Sequence, residues 1–276
     1  MNVSTPARDG ALSWFLVIAA IWSLALWAGP SLTGVMGLSL NAHGHAHLYA
    51  HGHPFVDART LWGIPNASDV LSNLPIALAG LLGWGLTWRR GMGETTRRTA
   101  QVFFGGLVLT GIGSAVYHWA PDAIGLVGDR LGMAVTFAGA LGLAVSERLG
   151  QREAVPVMVV TLLLATVSAV LPMAQGNVLP WAVVQYGGVV LIFRVAARPP
   201  VAGAIGVSVG ALIAWYVAAK VLEIGDATVF HFTGEWVSGH SLKHLAAGMA
   251  AWPVIRAVAQ QPLRQNPAGS DVAHLQ

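Results

Sequence analysis

An all-α membrane protein is predicted for this chain: a seven-helix transmembrane bundle plus one additional N-terminal helix. Two features of composition and one of pattern predict it. Of 276 residues, 55% are hydrophobic and only 10% are charged, whereas a soluble domain carries about a quarter charged residues. The mean hydropathy is +0.62. The apolar residues fall into runs of about 18 or more between charges, long enough to cross a bilayer, and lipid leaves helices as the way to satisfy so much backbone.

Those runs lie near 11–29, 71–88, 101–120, 124–146, 154–173, 178–197, 202–223 and 236–257. The first has no small-x-small cleavage site after it, and it reads as an uncleaved anchor covering 1–35 rather than a signal peptide. A loop over 36–65 follows, containing NAHGHAHLYAHGHPF with His43, His45, His47, His51 and His53. Gly-His alternation of this kind binds divalent metals loosely; a polar loop without a specific role fits it equally. The seven-helix domain is expected over 66–260, with a disordered tail at 261–276. Stretches such as GALGLA and GAIGVSVGA supply the small residues that let membrane helices pack closely.

Orientation follows from arginine. Loops holding Arg89, Arg90, Arg97 and Arg98, then Arg148 and Arg152, then Arg194 and Arg198, and the tail with Arg256 and Arg264, alternate with loops almost free of basic residues. The positive-inside bias places the arginine loops in the cytoplasm. The N-terminus, where Asp9 nearly balances Arg8, is expected there too, and the opposite loops face outward.

Composition also excludes classes. There is no cysteine, so any transition metal must be held by His, Asp or Glu. The net charge of +3 forms no basic stripe interleaved with aromatics, which argues against nucleic acid as a partner. Nothing in the sequence bears on oligomeric state.

Two stretches carry chemistry. The first, GSAVYHWAPDAIGLVGDRLGM from Gly113 to Met133, places Ser114, His118 and Asp129 in an otherwise apolar setting where ionisable groups are costly and usually functional. Ser114 and His118, four apart, share a helical face. Pro121 and Asp122 then end that helix, so Asp129 stands near the head of the next. A plainer reading has Ser114 bonded to its own helix, His118 as a satisfied helix end and Asp129 paired with Arg130. The second stretch, GEWVSGHSLKHLAAGMAAW, presents His240 and His244 on one helical face, a common way to offer two imidazoles to one metal.

The topology brings both stretches to the outer leaflet, together with Asn66, Asp69, Ser72 and Asn73. His118, His240 and His244 then match a catalytic zinc, with three neutral ligands and a fourth position open to water. The metal lowers the pKa of that water, Asp129 is placed to take its proton, and Ser114 to donate to the oxyanion. The chemistry expected is hydrolysis of an amide or ester near the headgroup of an amphiphile. A divalent metal-ion permease is the alternative from another class, although permeases hold their ligands near the midplane. A receptor-like bundle with a structural zinc is a third reading.

These residues resemble the alkaline ceramidase family, within the group of seven-helix membrane hydrolases that includes adiponectin-type receptors. The resemblance rests on Ser72-Asn73, Gly113-Ser114 through His118, Asp129 to Leu131 with Met133, and His240 to His244, and covers roughly 55–258. It implies a bundle of alkaline ceramidase type acting on a ceramide-like lipid amide, with zinc on His118, His240 and His244, the family's serine at Ser114 and its acid at Asp129. Three features depart from the family pattern. The calcium motif of eukaryotic ceramidases is not matched, the corresponding region offering only Asp57, Asn66 and Asp69, so calcium does not carry over as a cofactor. Gly132 stands where similar bacterial sequences have proline. The first span and the histidine arm are additional.

Overall fold

A computed structural model of the protein describes residues 6–35 and 55–264. The five histidines of the expected external loop, His43 to His53, lie outside the described residues, as does the tail from 265 onward. Among the described residues the chain forms eleven helices and no sheet: α1 (Pro6–Val35), α2 (Ala67–Leu71), α3 (Leu74–Arg89), α4 (Glu94–Trp119), α5 (Ala123–Arg148), α6 (Gln151–Gln175), α7 (Leu179–Ala196), α8 (Val209–Ile224), α9 (Asp226–Phe232), α10 (Gly239–Met249) and α11 (Trp252–Ala259). Among the described residues, six segments are long and apolar enough to cross a membrane: Ser13–Leu32 of α1, Ala67–Arg89 formed by α2 and α3 together, and α4, α5, α6 and α7.

The last two expected spans are modified. The run at 202–223 becomes helical only from Val209. Before it, the buried carboxylate of Glu147 at the end of α5 accepts three backbone N–H bonds, from Ile205 (2.7 Å), Gly206 (3.0 Å) and Val207 (2.9 Å). Gly206, at φ +88°, adopts the left-handed backbone this arrangement requires. The run at 236–257 breaks into α10 and α11, because Pro253 has no N–H to give and disfavours helical backbone in the residue before it.

The helices close a ring. α3 packs on α4, α4 on α5, α5 on α7, α7 on α8, α8 on α10, and α10 back on α3, while α6 lies outside against α5 and α7. The α4–α5 contact is the most extensive. A Cβ at Gly132 would lie 2.5 Å from the Thr110 nitrogen, and one at Gly113 would lie 2.8 Å from the Gly128 oxygen. Glycine at 132, in place of the expected proline, is therefore what lets the two backbones touch. In lipid such contact is itself the stabilising term, since no water is expelled. Apolar residues including Phe103, Phe104, Leu143, Val254 and Val258 form the core of the ring, which Ile76 extends toward the site end.

The N-terminal helix packs along α7 and is pinned by two buried polar contacts. Pro30 within α1 leaves the Leu26 carbonyl without its usual helical donor. The amide of Asn177, fully buried, donates to the Ala25 oxygen (3.0 Å) and the Leu26 oxygen (3.3 Å) instead. Trp22 adds a bond from its indole N–H to Ser168 Oγ at 2.8 Å.

At the arginine end, part of the expected disordered tail is ordered. Gly91 N–H bonds to the Pro262 oxygen (2.8 Å) and Arg264 N–H to the Arg89 oxygen (2.9 Å). Backbone pairing with the α3–α4 turn holds residues 262–264, which composition alone did not reveal.

Candidate metal centre

The site lies at the end of the ring opposite the arginines. α4 stops at Trp119 ahead of Pro121, and Asp122 caps α5 by accepting the Gly125 N–H at 2.5 Å. The tight turn leaves Ser114 and His118 in the last turns of α4, and Asp129 in the second turn of α5. Ser238 caps α10, accepting the Ser241 N–H at 2.9 Å. His240, whose own N–H bonds to Asp226 Oδ1 at 2.8 Å, and His244 thus open that helix.

His118, His240 and His244 meet as an almost equilateral triangle, with ring centroids 4.8, 5.0 and 4.9 Å apart. All three are buried, and among the described residues they are the one group of three or more His, Asp or Glu side chains able to share a metal ion. The donor set can be tested for fit. Nε2 of His240 lies 3.3 Å from Nε2 of His118, and tetrahedral ligands about 2.05 Å from zinc stand about 3.3 Å apart. The third tautomer follows from its neighbours. Ser72 Oγ donates to the Asp69 carbonyl (3.1 Å) and lies 2.8 Å from Nδ1 of His244, so Nδ1 carries the proton and Nε2 is left as the ligand atom. The residues present fit a metal ion.

The polar residues at the head of the second span support the triangle rather than join it. Asn66 Nδ2 bonds to the His118 carbonyl at 2.8 Å, and Asn73 Nδ2 to the Asp69 carbonyl at 2.8 Å. Asp69 Oδ1 accepts from Ser241 Oγ at 2.6 Å and Ser238 Oγ at 3.3 Å, tying α2 to the start of α10. Of the region corresponding to the calcium motif, Asp57 is taken up by Arg59, which reaches its two oxygens at 2.7 Å each. Burial pushes the Asp57 carboxyl up, but the Arg59 guanidinium outweighs this and holds it below the usual carboxylate range.

Behind the triangle a cavity of about 650 Å³ occupies the ring, within the size range of small-molecule sites. Ser114 and Asp129 line it beside the histidines. They interact with each other across the α4–α5 contact, where Gly113 packs against Gly128 and Asp129. Ile76, Phe103, Leu107 and Met133 form apolar walls. Tyr186, 63% exposed on α7, also lines the cavity, which therefore opens sideways toward the lipid-facing surface. Arg130 stands 5.5 Å over the Trp181 ring.

Two features of the site were missed from sequence. Phe55 covers the triangle, its ring centroid 4.4 Å from that of His118 and 5.0 Å from that of His240; nothing in its local pattern marked it. Lys243 Nζ bonds to Glu223 Oε1 at 2.9 Å and Lys220 Nζ to Glu223 Oε2 at 2.5 Å, and all three line the cavity. A lysine inside an HxxxH motif of a membrane helix was the available signal.

Comparison of the chain with protein-family models, with curated proteins and with solved structures finds no match.

Proposed function

We propose that the protein is a zinc-dependent hydrolase of the membrane that cleaves the amide bond of a ceramide-like lipid. The observation that carries this reading is the position of Ser114 and Asp129, on the cavity wall beside three converging imidazoles. A metal that only stapled helices together would need no acid and hydroxyl on an open cavity.

His118, His240 and His244 would hold a zinc ion, which when bound would supply Lewis acidity toward a water and a carbonyl. Asp129 takes the proton from the attacking water and returns it to the leaving amine. Ser114 donates to the carbonyl oxygen as negative charge builds on it. Phe55 keeps the triangle covered from the loop side, and the apolar walls receive the acyl chain. The opening at Tyr186 supports entry from within the lipid, and the resemblance of the sequence motifs to those of alkaline ceramidases supports the amide over the ester.

The arginine distribution supports a site on the outer face, periplasmic in a bacterial inner membrane. The deciding experiment is fatty-acid release from a long-chain ceramide by the purified protein in lipid nanodiscs. Release that is lost on chelation and restored by zinc is expected; no release from any long-chain amide, with zinc bound, overturns the reading.

A further inference from the structure

The cavity wall next to the metal centre carries charge that neither metal binding nor Asp129 uses. Lys220, one turn before Glu223 on α8, and Lys243, between the two histidines of α10, converge on the single carboxylate of Glu223. Asp226 and Asp129 also line the cavity, yet neither comes within 4 Å of either ammonium, and one Asp226 oxygen is occupied by the His240 N–H. Two ammonium groups thus share one carboxylate as their ion-pair partner within 4 Å, although the wall also holds the carboxylates of Asp129 and Asp226 farther off. An ammonium offers three donors, and each here gives one to Glu223. Ammonium donors facing a lipid-embedded cavity without an acceptor are costly, and an acidic group on a ligand would complete them.

We propose that Lys220 and Lys243 form a subsite for an acidic group, carboxylate or phosphate, on the polar end of an amphiphile whose chain lies in the apolar part of the cavity. The reading rests on the hydrolase for its catalytic consequence: the preferred amide substrate carries an anionic headgroup, and a neutral one is a poorer substrate. Glu223 then serves as the internal stand-in, holding the two lysines apart and in place until an external acid shares them.

The test is binding to the full-length protein with its metal, in nanodiscs of neutral lipid, using two non-hydrolysable probes of equal chain length, hexadecyl phosphate and 1-hexadecylglycerol. Hexadecyl phosphate is expected to bind at least about tenfold more tightly, the size of effect a charge-assisted contact gives. Lys220→Gln should remove most of that difference without changing the neutral probe. Glu223→Gln, which removes the competing carboxylate, should enlarge it, an opposite sign that a merely structural ion triad would not produce. Inorganic phosphate should compete only at far higher concentration, which separates an amphiphile subsite from one for a free anion. Equal affinity for the two probes, weaker phosphate binding in Glu223→Gln, or equal competition by inorganic phosphate overturns the proposal. Fatty-acid release from N-palmitoylglycine and N-palmitoylethanolamine is measured alongside. Release from neither, with the binding preference intact, sinks the hydrolase and leaves the subsite; equal release from both, with no binding preference, does the reverse.

Discussion

The hydroxyl of Ser72 and the imidazole of His244 come together at 2.8 Å from neighbouring elements of the ring, 172 positions apart in sequence. Because the same hydroxyl donates to the Asp69 carbonyl, it accepts from Nδ1 of His244 and turns Nε2 inward. Ligand-orienting bonds of this kind are worth about 10- to 100-fold in metal affinity. Ser72→Ala is therefore expected to weaken zinc by about that factor while leaving the helices intact, as read by chelator competition and circular dichroism. Unchanged affinity would mean that His244 is oriented by other contacts.

Removing any one of the three ligands should do more. His118→Ala, His240→Ala and His244→Ala are each expected to lower bound zinc well below one per chain in elemental analysis. Deleting 43–53, which removes the five arm histidines, should leave it in place. Full zinc content in all three single variants would show the site to be elsewhere.

Ligand and chemistry separate at Asp129 and Ser114. Both line the cavity, and neither belongs to the triangle. Asp129→Asn and Ser114→Ala are expected to keep zinc and lose turnover by a factor of about 100 or more. Normal turnover by Asp129→Asn would leave proton transfer without a group and favour a structural metal.

Glu147 tests the fold apart from the site. Its carboxylate is the acceptor for three consecutive backbone N–H groups, of which those of Ile205 and Val207 are buried and that of Gly206 is part-buried, and each donor left buried and unpaired costs about 1–3 kcal/mol. Glu147→Ala should destabilise the protein by roughly 3 kcal/mol or more and lower its midpoint of thermal unfolding, with zinc content preserved below that midpoint. A variant as stable as the parent would show that water or a shifted chain replaces the carboxylate.

Orientation can be read with single cysteines, because the native chain has none. Ala123→Cys and Gln175→Cys, at the site end, should react with an impermeant thiol reagent in intact cells, and Thr95→Cys, at the arginine end, should not. Gln175 is exposed, whereas the adjacent loop residue Asn177 is buried against α1 and unsuitable. The reverse pattern would put the site on the cytoplasmic face.

Helical class, the approximate spans and the three histidines were legible in the sequence because each depends on local information: hydrophobic run length, arginine placement, and a four-residue spacing that puts His240 and His244 on one face. The alternation of arginine-rich and arginine-poor loops was enough to put His118 at the same end as that pair. What only the tertiary structure decided depends on partners distant in the chain. Whether Asn66, Asp69 and Ser72 were ligands or supports turned on which carbonyls and rings they meet in α4 and α10. The late start of α8 turned on Glu147, some 60 residues earlier, drawing backbone donors away from a helix that the apolar run alone would have allowed. Phe55 sits over the histidines, and Lys220 and Lys243 share Glu223, because the ring closes α10 between α3 and α8. Charge pairing of that kind is a property of the closed ring, and no periodicity along the chain encodes it.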